Sequence, residues 1–324
     1  MWRYKKLLTQ TEREENKLRS VLFFGKLNIE SFSQLIFAWN AFRPERGYFK
    51  FATQVRDTKT GKWHDWHSMI EWGANAQRSF FNESSTGTKY HHVRLELPES
   101  KSGDAFRIKV EAHEGADLSL LCGLYVTVAH YPSFFGENYE NVRMLPSVKV
   151  SGVPSQSQMV LDHPKKEVLC SPTSCSMVAS YLTGQHIDPI FFATRAYDSG
   201  LDAYGSWPFN TVHVFEKSRG SVLFYVTRLN SFAEIHRSLQ NKLPVIVSVR
   251  GTIDGAPQEY KNGHLLVIVG WDATKSAVMC HDPAFPATEK TVVSYPLLSF
   301  LAAWERSRRL AYVAELSPIA FVPH

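Results

Sequence analysis

The chain's 324 residues are 44% hydrophobic and 21% charged, with 18 glycines and 16 prolines. Disordered, collagenous and low-complexity proteins are excluded, and about two packed domains are expected. The net charge of +5 is mild and lies mostly in residues 1–150, which hold 21 basic and 17 acidic side chains.

Residues 1–19 intersperse Arg3, Lys5, Lys6, Arg13, Lys17 and Arg19 with Glu12, Glu14 and Glu15. This reads as a mixed-charge helix or tail, not as the basic stripe with stacking aromatics of a nucleic-acid binder, so no nucleic-acid partner is expected. The segment has no apolar core of an export signal, and no apolar run approaches the ~18 residues of a membrane span. The expected location is the cytoplasm, with leaderless secretion as the other route, and no membrane span is expected.

Residues 48–56 alternate and run into Asp57-Thr-Lys-Thr-Gly61, a hairpin signal, followed by a strand-like Trp63-His-Asp-Trp66. Residues 105–111 have period 2 with Phe106, Ile108 and Val110 inward, and 118–130 reads as another strand. Short strands at this spacing predict an antiparallel β-sandwich. Its Trp63, Trp66 and Trp72 are expected in the core, with a carbohydrate or protein ligand platform as the alternative. His91-His92 reads as a strand entry. The stretch 131–152, with Pro132, Gly136, Asn138, Asn141, Pro146 and Gly152, is turn chemistry, so a boundary is expected near 148. It separates an accessory or binding domain, 1–148, from a second domain, 149–324.

Beyond it, residues 174–182 have helical spacing and stop at Thr183-Gly184, and Ser231-Phe-Ala-Glu234 predicts a capping box. Residues 222–227, 245–249, 264–271 and 277–282 read as strands, an α+β order.

Four cysteines, Cys122, Cys170, Cys175 and Cys280, are too few for a disulfide scaffold and match no zinc spacing. Cys170 stands two residues before Pro172 at the start of the predicted helix, where unpaired N–H groups and the positive end of the dipole favour a thiolate. Cys175, over one helical turn away, reads as core. Gly263 allows close approach beside His264, at the head of an apolar strand that would hold the imidazole firmly. Cys170 with His264 is the pairing that a thiolate and an imidazolium require. If the last two strands pair through a turn at 273–276, Asp282 falls beside His264 and can orient it. His281 points to the opposite face, and a metal site from Cys280, His281, Asp282 and His264 is disfavoured because adjacent strand residues alternate.

These residues resemble the C39-like peptidases of the papain-like cysteine peptidase superfamily. Cys170-Ser-Pro-Thr-Ser174 with Met177 is similar to their Cys-Gly-Pro-Thr-Ser helix start, Gly263-His264 through Gly270-Trp271-Asp272 to their histidine strand, and Asp282-Pro283 to their third motif. Val153-Pro-Ser-Gln-Ser-Gln158 is similar to an upstream motif, by which Gln158 is implied to supply a side-chain amide to an oxyanion hole. The resemblance covers residues 150–320, including Trp207-Pro-Phe-Asn210 and Phe300…Trp304. The first half is similar to the β-rich domain attached to bacterial members, through residues 33–40 and Gly47-Tyr-Phe49.

The resemblance implies a papain-like fold for 149–324 and a cysteine peptidase acting on a peptide or protein substrate, through Cys170, His264, Asp282 and Gln158, with no cofactor or metal. Ser171 replaces the family's glycine. If the backbone there needs a positive φ, serine is strained and activity falls. One alternative is an acyltransferase or deamidase on the same triad, which would share the thioester intermediate; the other, suggested by Ser171, is a catalytically silent binding protein.

Overall fold

A computed structural model of the chain describes residues 1–80, 84–85, 88–91, 93–131, 136, 139–319 and 321, so His92, Pro132 and Asn138 lie outside the described residues. The chain forms two compact units, neither continuous in sequence. Unit 1 is Met1–Phe134, Tyr197–Gly220 and Pro318–His324, and unit 2 is Phe135–Ala196 and Ser221–Ser317. The helices in chain order are α1 (Gln10–Asn16), α2 (Tyr139–Arg143), α3 (Cys170–Thr183), α4 (Pro189–Ala196), α5 (Trp207–Lys217), α6 (Phe232–Gln240) and α7 (Leu297–Arg306).

Unit 1 contains β1 (Trp2–Leu7), β2 (Val21–Lys26), β3 (Gln34–Ala41), β4 (Tyr48–Asp57), β5 (His67–Gly73), β6 (Gln77–Ser79), β7 (Ser84–Ser85), β8 (Thr88–His91), β9 (Arg94–Glu96), β10 (Gly103–His113) and β11 (Leu121–Ala129). They build two antiparallel sheets, ordered β1-β11-β3-β9-β8-β7 and β2-β10-β4-β5-β6. Period 2 decides the faces: Phe49, Phe51 and Val55 of β4 and Phe106, Ile108 and Val110 of β10 are all fully buried. Trp39 of one sheet stacks on Phe51 of the other at 4.3 Å between ring centroids. It also meets Trp72 edge-on at 5.7 Å and Phe209 of α5 at 6.1 Å.

The basic opening segment is neither a tail nor wholly helical. Its alternating Trp2–Leu7 pairs with β11, and α1 follows under a capping box between Thr9 and Glu12. Arg13 is buried there and donates from Nε to the Ser119 carbonyl at 2.7 Å. Among the three tryptophans expected in the core, Trp72 is fully buried, whereas Trp63 and Trp66 are part-exposed. Arg107 covers Trp63 at 4.1 Å and Lys109 covers Trp66 at 5.4 Å. The segment 197–220 joins this unit through Asp198, whose Oδ1 accepts from Ser79 N–H at 2.8 Å and whose Oδ2 accepts from Ser206 Oγ at 2.5 Å.

In unit 2 the strands are β12 (Val148–Lys149), β13 (Val222–Arg228), β14 (Val245–Gly251), β15 (Tyr260–Asp272), β16 (Ala277–His281), β17 (Val292–Pro296) and β18 (Leu310–Leu316). Its antiparallel sheet runs β13-β18-β14-β15-β16-β17, with β12 on β15. Helix α3 packs on β15 and on α4. Its residues 171–179 are all buried, so it is enclosed all round and not amphipathic. Gly184, at φ +69°, ends it in the left-handed conformation expected of a terminating glycine. The capping box predicted at Ser231 is not formed: the Ser231 side chain makes no cap bond, and Glu234 instead accepts from the Asn230 N–H at 2.8 Å.

Candidate active site

The site is assembled by three local structures of unit 2. Cys170 is the first residue of α3, where helical N–H groups have no partner within the helix and Pro172 costs none of them. Strand β15 carries His264, paired with Val249 of β14. Strand β16 returns antiparallel, Val267 opposite His281, so that Asp282 lies directly beyond it next to the head of β15. This register brings His264 Nε2 to 2.7 Å from Asp282 Oδ1. With Nε2 donating to Asp282, Nδ1 is the nitrogen left to face Cys170, whose thiol pKa His264 draws down.

Asp282 is completely buried and fully satisfied. Its Oδ1 also accepts from the Ala284 N–H at 2.9 Å, while Oδ2 accepts from Tyr260 OH and Tyr295 OH, each at 2.6 Å. Tyr260 additionally lays its ring on the His264 imidazole, 4.2 Å between centroids and 15° from parallel. Four residues of straight strand would separate them by roughly 13 Å. Four steps along β15, from 260 to 264, span only two along β14, from 251 to 249, and this bulge folds Tyr260 back. Gly263 makes the bulge at φ +90°, and a Cβ there would meet nothing nearer than 3.9 Å. Its glycine is required by conformation, then, and not by the close approach the sequence suggested.

Charge follows geometry. Burial works against ionisation of Cys170, but the hydrogen bond and charge of His264, with the Leu265 and Ser171 N–H groups, outweigh it and lower the thiol's pKa. Burial also disfavours an imidazolium at His264, yet Asp282, with a contribution from Cys170, pushes its pKa up to about 10. Asp282 is pulled the other way: burial raises it, while His264 and the two phenols hold it below the usual carboxylate range. The other thiols move oppositely, for burial raises Cys122 to about 12 and both Cys175 and Cys280 well above the ordinary thiol value. Cys170 is also the part-exposed thiol, the other three being buried.

Gln158 is buried close by in sequence and fold. Its backbone N–H donates to the Pro283 carbonyl at 2.9 Å, just past Asp282. Its side-chain Nε2 donates to the carbonyls of Lys166 and Glu167, both at 2.9 Å, in the turn that leads into α3. The two hydrogens of that amide therefore already have acceptors, and Oε1 is buried without a partner. Ser171 sits within the helix and is not among the residues with positive φ, so the strain feared at this position is not present. Its hydroxyl is turned into the core, sharing a hydrogen bond with Tyr312 OH at 3.0 Å. Ser174, one turn on, donates to the Leu265 carbonyl at 3.1 Å and ties α3 to the strand beside His264.

His281, and Asp272 at the far end of β15, stay out of the cluster. His281 points away and its Nδ1 lies 3.1 Å from the Pro154 carbonyl. Asp272 caps the turn of the hairpin through Lys275 N–H at 3.0 Å. Among the described residues no group of His, Cys, Asp and Glu could hold a metal ion, and no helix is long and apolar enough to cross a membrane. Tyr260, Tyr295 and Ser174 were not legible as site residues. Tyr295 comes 13 residues after Asp282 with no motif around it, and only the tertiary fold brings its hydroxyl to the carboxylate.

No curated protein matches the chain. Among solved structures, a Bacillus anthracis chain described, by assignment only, as a C39-like peptidase overlaps it at 17% identity and a TM-score of 0.41. The overlap covers 53% of this chain and 99% of that one. A family model matches residues 150–312, half the chain, and takes in Cys170, His264 and Asp282: the chain belongs to the Peptidase_C39 like family.

Proposed function

We propose that the protein is a cysteine peptidase that hydrolyses a peptide or isopeptide bond, with unit 2 a papain-like catalytic unit and unit 1 a β-sandwich accessory or ligand-binding domain. The observation that carries this reading is His264 held on Asp282 at 2.7 Å in the same unit as Cys170 at the start of α3, and it is supported by the lowered pKa of this one thiol among four and the raised pKa of His264.

The Cys170 thiolate adds to the scissile carbonyl carbon, and the carbonyl π electrons move onto oxygen. The Cys170 backbone N–H at the start of α3 receives that oxyanion. Gln158 joins it by exchanging one of its two carbonyl bonds, to Lys166 or Glu167, for the oxyanion. Collapse of the intermediate breaks the C–N bond, and His264 gives its proton to the leaving amine. Neutral His264 then takes a proton from water, whose oxygen attacks the thioester and releases the acid and the Cys170 thiolate. Asp282 keeps the imidazole in one tautomer throughout.

Transfer of the same acyl group to an amine, or deamidation, would share the thioester. Hydrolysis is the reading adopted because the family is one of peptidases. A silent binding protein was suggested by Ser171, but the helical backbone and the Tyr312 bond at that position favour catalysis. Iodoacetamide alkylation with peptide mapping, followed by hydrolysis of a peptide library, is the test. Selective modification of Cys170 and turnover lost in Cys170→Ala are expected. Modification no faster than at the buried thiols would refute the proposal.

A further inference from the structure

The outer oxygen of Asp282 receives two phenolic hydroxyls at 2.6 Å, one from Tyr260 on β15 and one from Tyr295 on β17. A buried carboxylate facing histidine needs its second oxygen satisfied, and a single donor would suffice to avoid an orphan acceptor. Two donors from different strands do more, because together they fix the rotation of the carboxylate about its Cα–Cβ and Cβ–Cγ bonds. Tyr260 also stacks on the imidazole at 4.2 Å and so touches both members of the pair. The β15 bulge, made by Gly263 at φ +90°, is what allows one side chain to reach both.

We propose that Tyr260 and Tyr295 are positioning residues of the reaction: their hydroxyls lock the Asp282 carboxylate so that Oδ1 stays on His264, and the Tyr260 ring holds the imidazole in the plane that faces Cys170. This rests on the thiolate and imidazolium reading of the site. The charged and titratable groups facing His264 are Cys170 from α3, Asp282 beyond β16, and Tyr260 of its own strand, with Tyr295 of β17 reaching it through Asp282. Without the lock the carboxylate is free to turn, the imidazolium loses its constant partner, and the thiolate loses the charge that stabilises it.

The experiment is the pH dependence of Cys170 alkylation by iodoacetamide, read by peptide mapping, in wild type, Tyr295→Phe, Tyr260→Phe, the double Phe variant and Tyr260→Leu. Melting temperature and, where turnover is measurable, kcat and KM accompany it. The wild-type midpoint is expected below the ordinary thiol value of about 8.5. Phe at both positions is expected to raise it by about one pH unit, with roughly tenfold slower alkylation on the acid side and a loss in kcat rather than KM. Each single Phe variant should fall between, and Tyr260→Leu, which loses ring and hydroxyl, should exceed Tyr260→Phe. If the double variant does not fold, Tyr295→Phe alone carries the comparison with wild type.

A lower melting temperature with an unmoved alkylation midpoint would overturn the proposal, because it leaves the tyrosines a structural role only. A wild-type midpoint near the ordinary thiol value would instead sink the thiolate reading itself, and the proposal with it, whatever the variants do.

Discussion

Replacing Asp282 separates charge from architecture, because the two substitutions Asn and Ala remove different things. Four donors converge on the carboxylate: His264 Nε2, Ala284 N–H, Tyr260 OH and Tyr295 OH. Asn in the same rotamer can keep its oxygen on His264 and Ala284 and turn its amide to the phenols, which can accept as well as donate. The fold should survive, while the bond to His264 changes from charge-assisted to neutral. Ionised partners roughly double the net ~1 kcal/mol of such a bond, and the lost attraction on the imidazolium adds to that, so about 1.5–3 kcal/mol of ion-pair stability goes. This predicts a 10- to 150-fold fall in Cys170 alkylation and peptide hydrolysis at pH 7.

Ala removes the acceptor altogether. Four buried donors at about 1–3 kcal/mol each give roughly 4–12 kcal/mol, against about 5–15 kcal/mol for a whole domain. Even if water entering the vacated space restores most of this, a loss near 3 kcal/mol remains, or about 6–12 °C in melting temperature for a unit of this size. The assay is calorimetric melting of both variants beside the alkylation rate. An Ala variant melting within 2 °C of wild type, or an Asn variant as reactive as wild type, would refute this account of the site.

The pH profile is the next expectation. Cys170 is depressed, so thiolate is present above its lowered pKa and lost as pH falls through it; His264 is raised, so its proton is lost as pH rises through about 10. Hydrolysis should therefore be bell-shaped and alkylation sigmoidal, and identical profiles would contradict the assignment. Ser171→Gly should leave turnover per folded molecule within about twofold but lower the melting temperature. It orphans the buried Tyr312 hydroxyl at about 1–3 kcal/mol and puts glycine in a helix, so an unchanged melting curve would count against the Tyr312 bond. Gly263→Ala forces a side chain into φ +90° at a cost of about 1–3 kcal/mol and should relax the bulge. Slower alkylation of Cys170 is the expected readout, and wild-type rates would show that the bulge does not set the His264 orientation. Gln158→Ala should reduce kcat by about 10²–10³ with KM little changed if its amide turns to the oxyanion, and a change in stability alone would assign it to the loop before Cys170.

Cys170, His264 and Asp282 were legible because each sits where local chemistry announces it: a cysteine before Pro172 at a helix start, a histidine after a glycine at the head of an apolar strand, and Asp-Pro at a strand end. The antiparallel pairing of β15 with β16 through a short turn was legible too, but its register was not, because it shifts at an irregularity between Ile268 and Gly270 and sets Val267 level with His281, so that His264 and Asp282 are not directly opposite each other. The sequence predicts no helix at α4, α5 or α7, although Trp207-Pro208 stands at the start of α5; that helix is buried from Trp207 to Phe215 and so has no polar face to mark a helical period. A single boundary near 148 also differs from the two compact units, for no shift of composition marks 197–220 as part of unit 1; what places it there is Asp198 bonded to Ser79 and Phe209 packed on Trp39.

What the sequence pointed to by itself was therefore the identity and order of the candidate site residues and the alternation that builds the strands, since these depend on residues near one another in the chain. Tertiary structure alone decided the supports: the two tyrosines on Asp282, the Gly263 bulge, Ser171 facing Tyr312, and the carbonyls that hold Gln158. Each of these requires a hydroxyl or amide to meet a partner whose position depends on strand register, bulge and packing, and a buried carboxylate gathers donors from wherever in the chain the fold brings them within 3 Å.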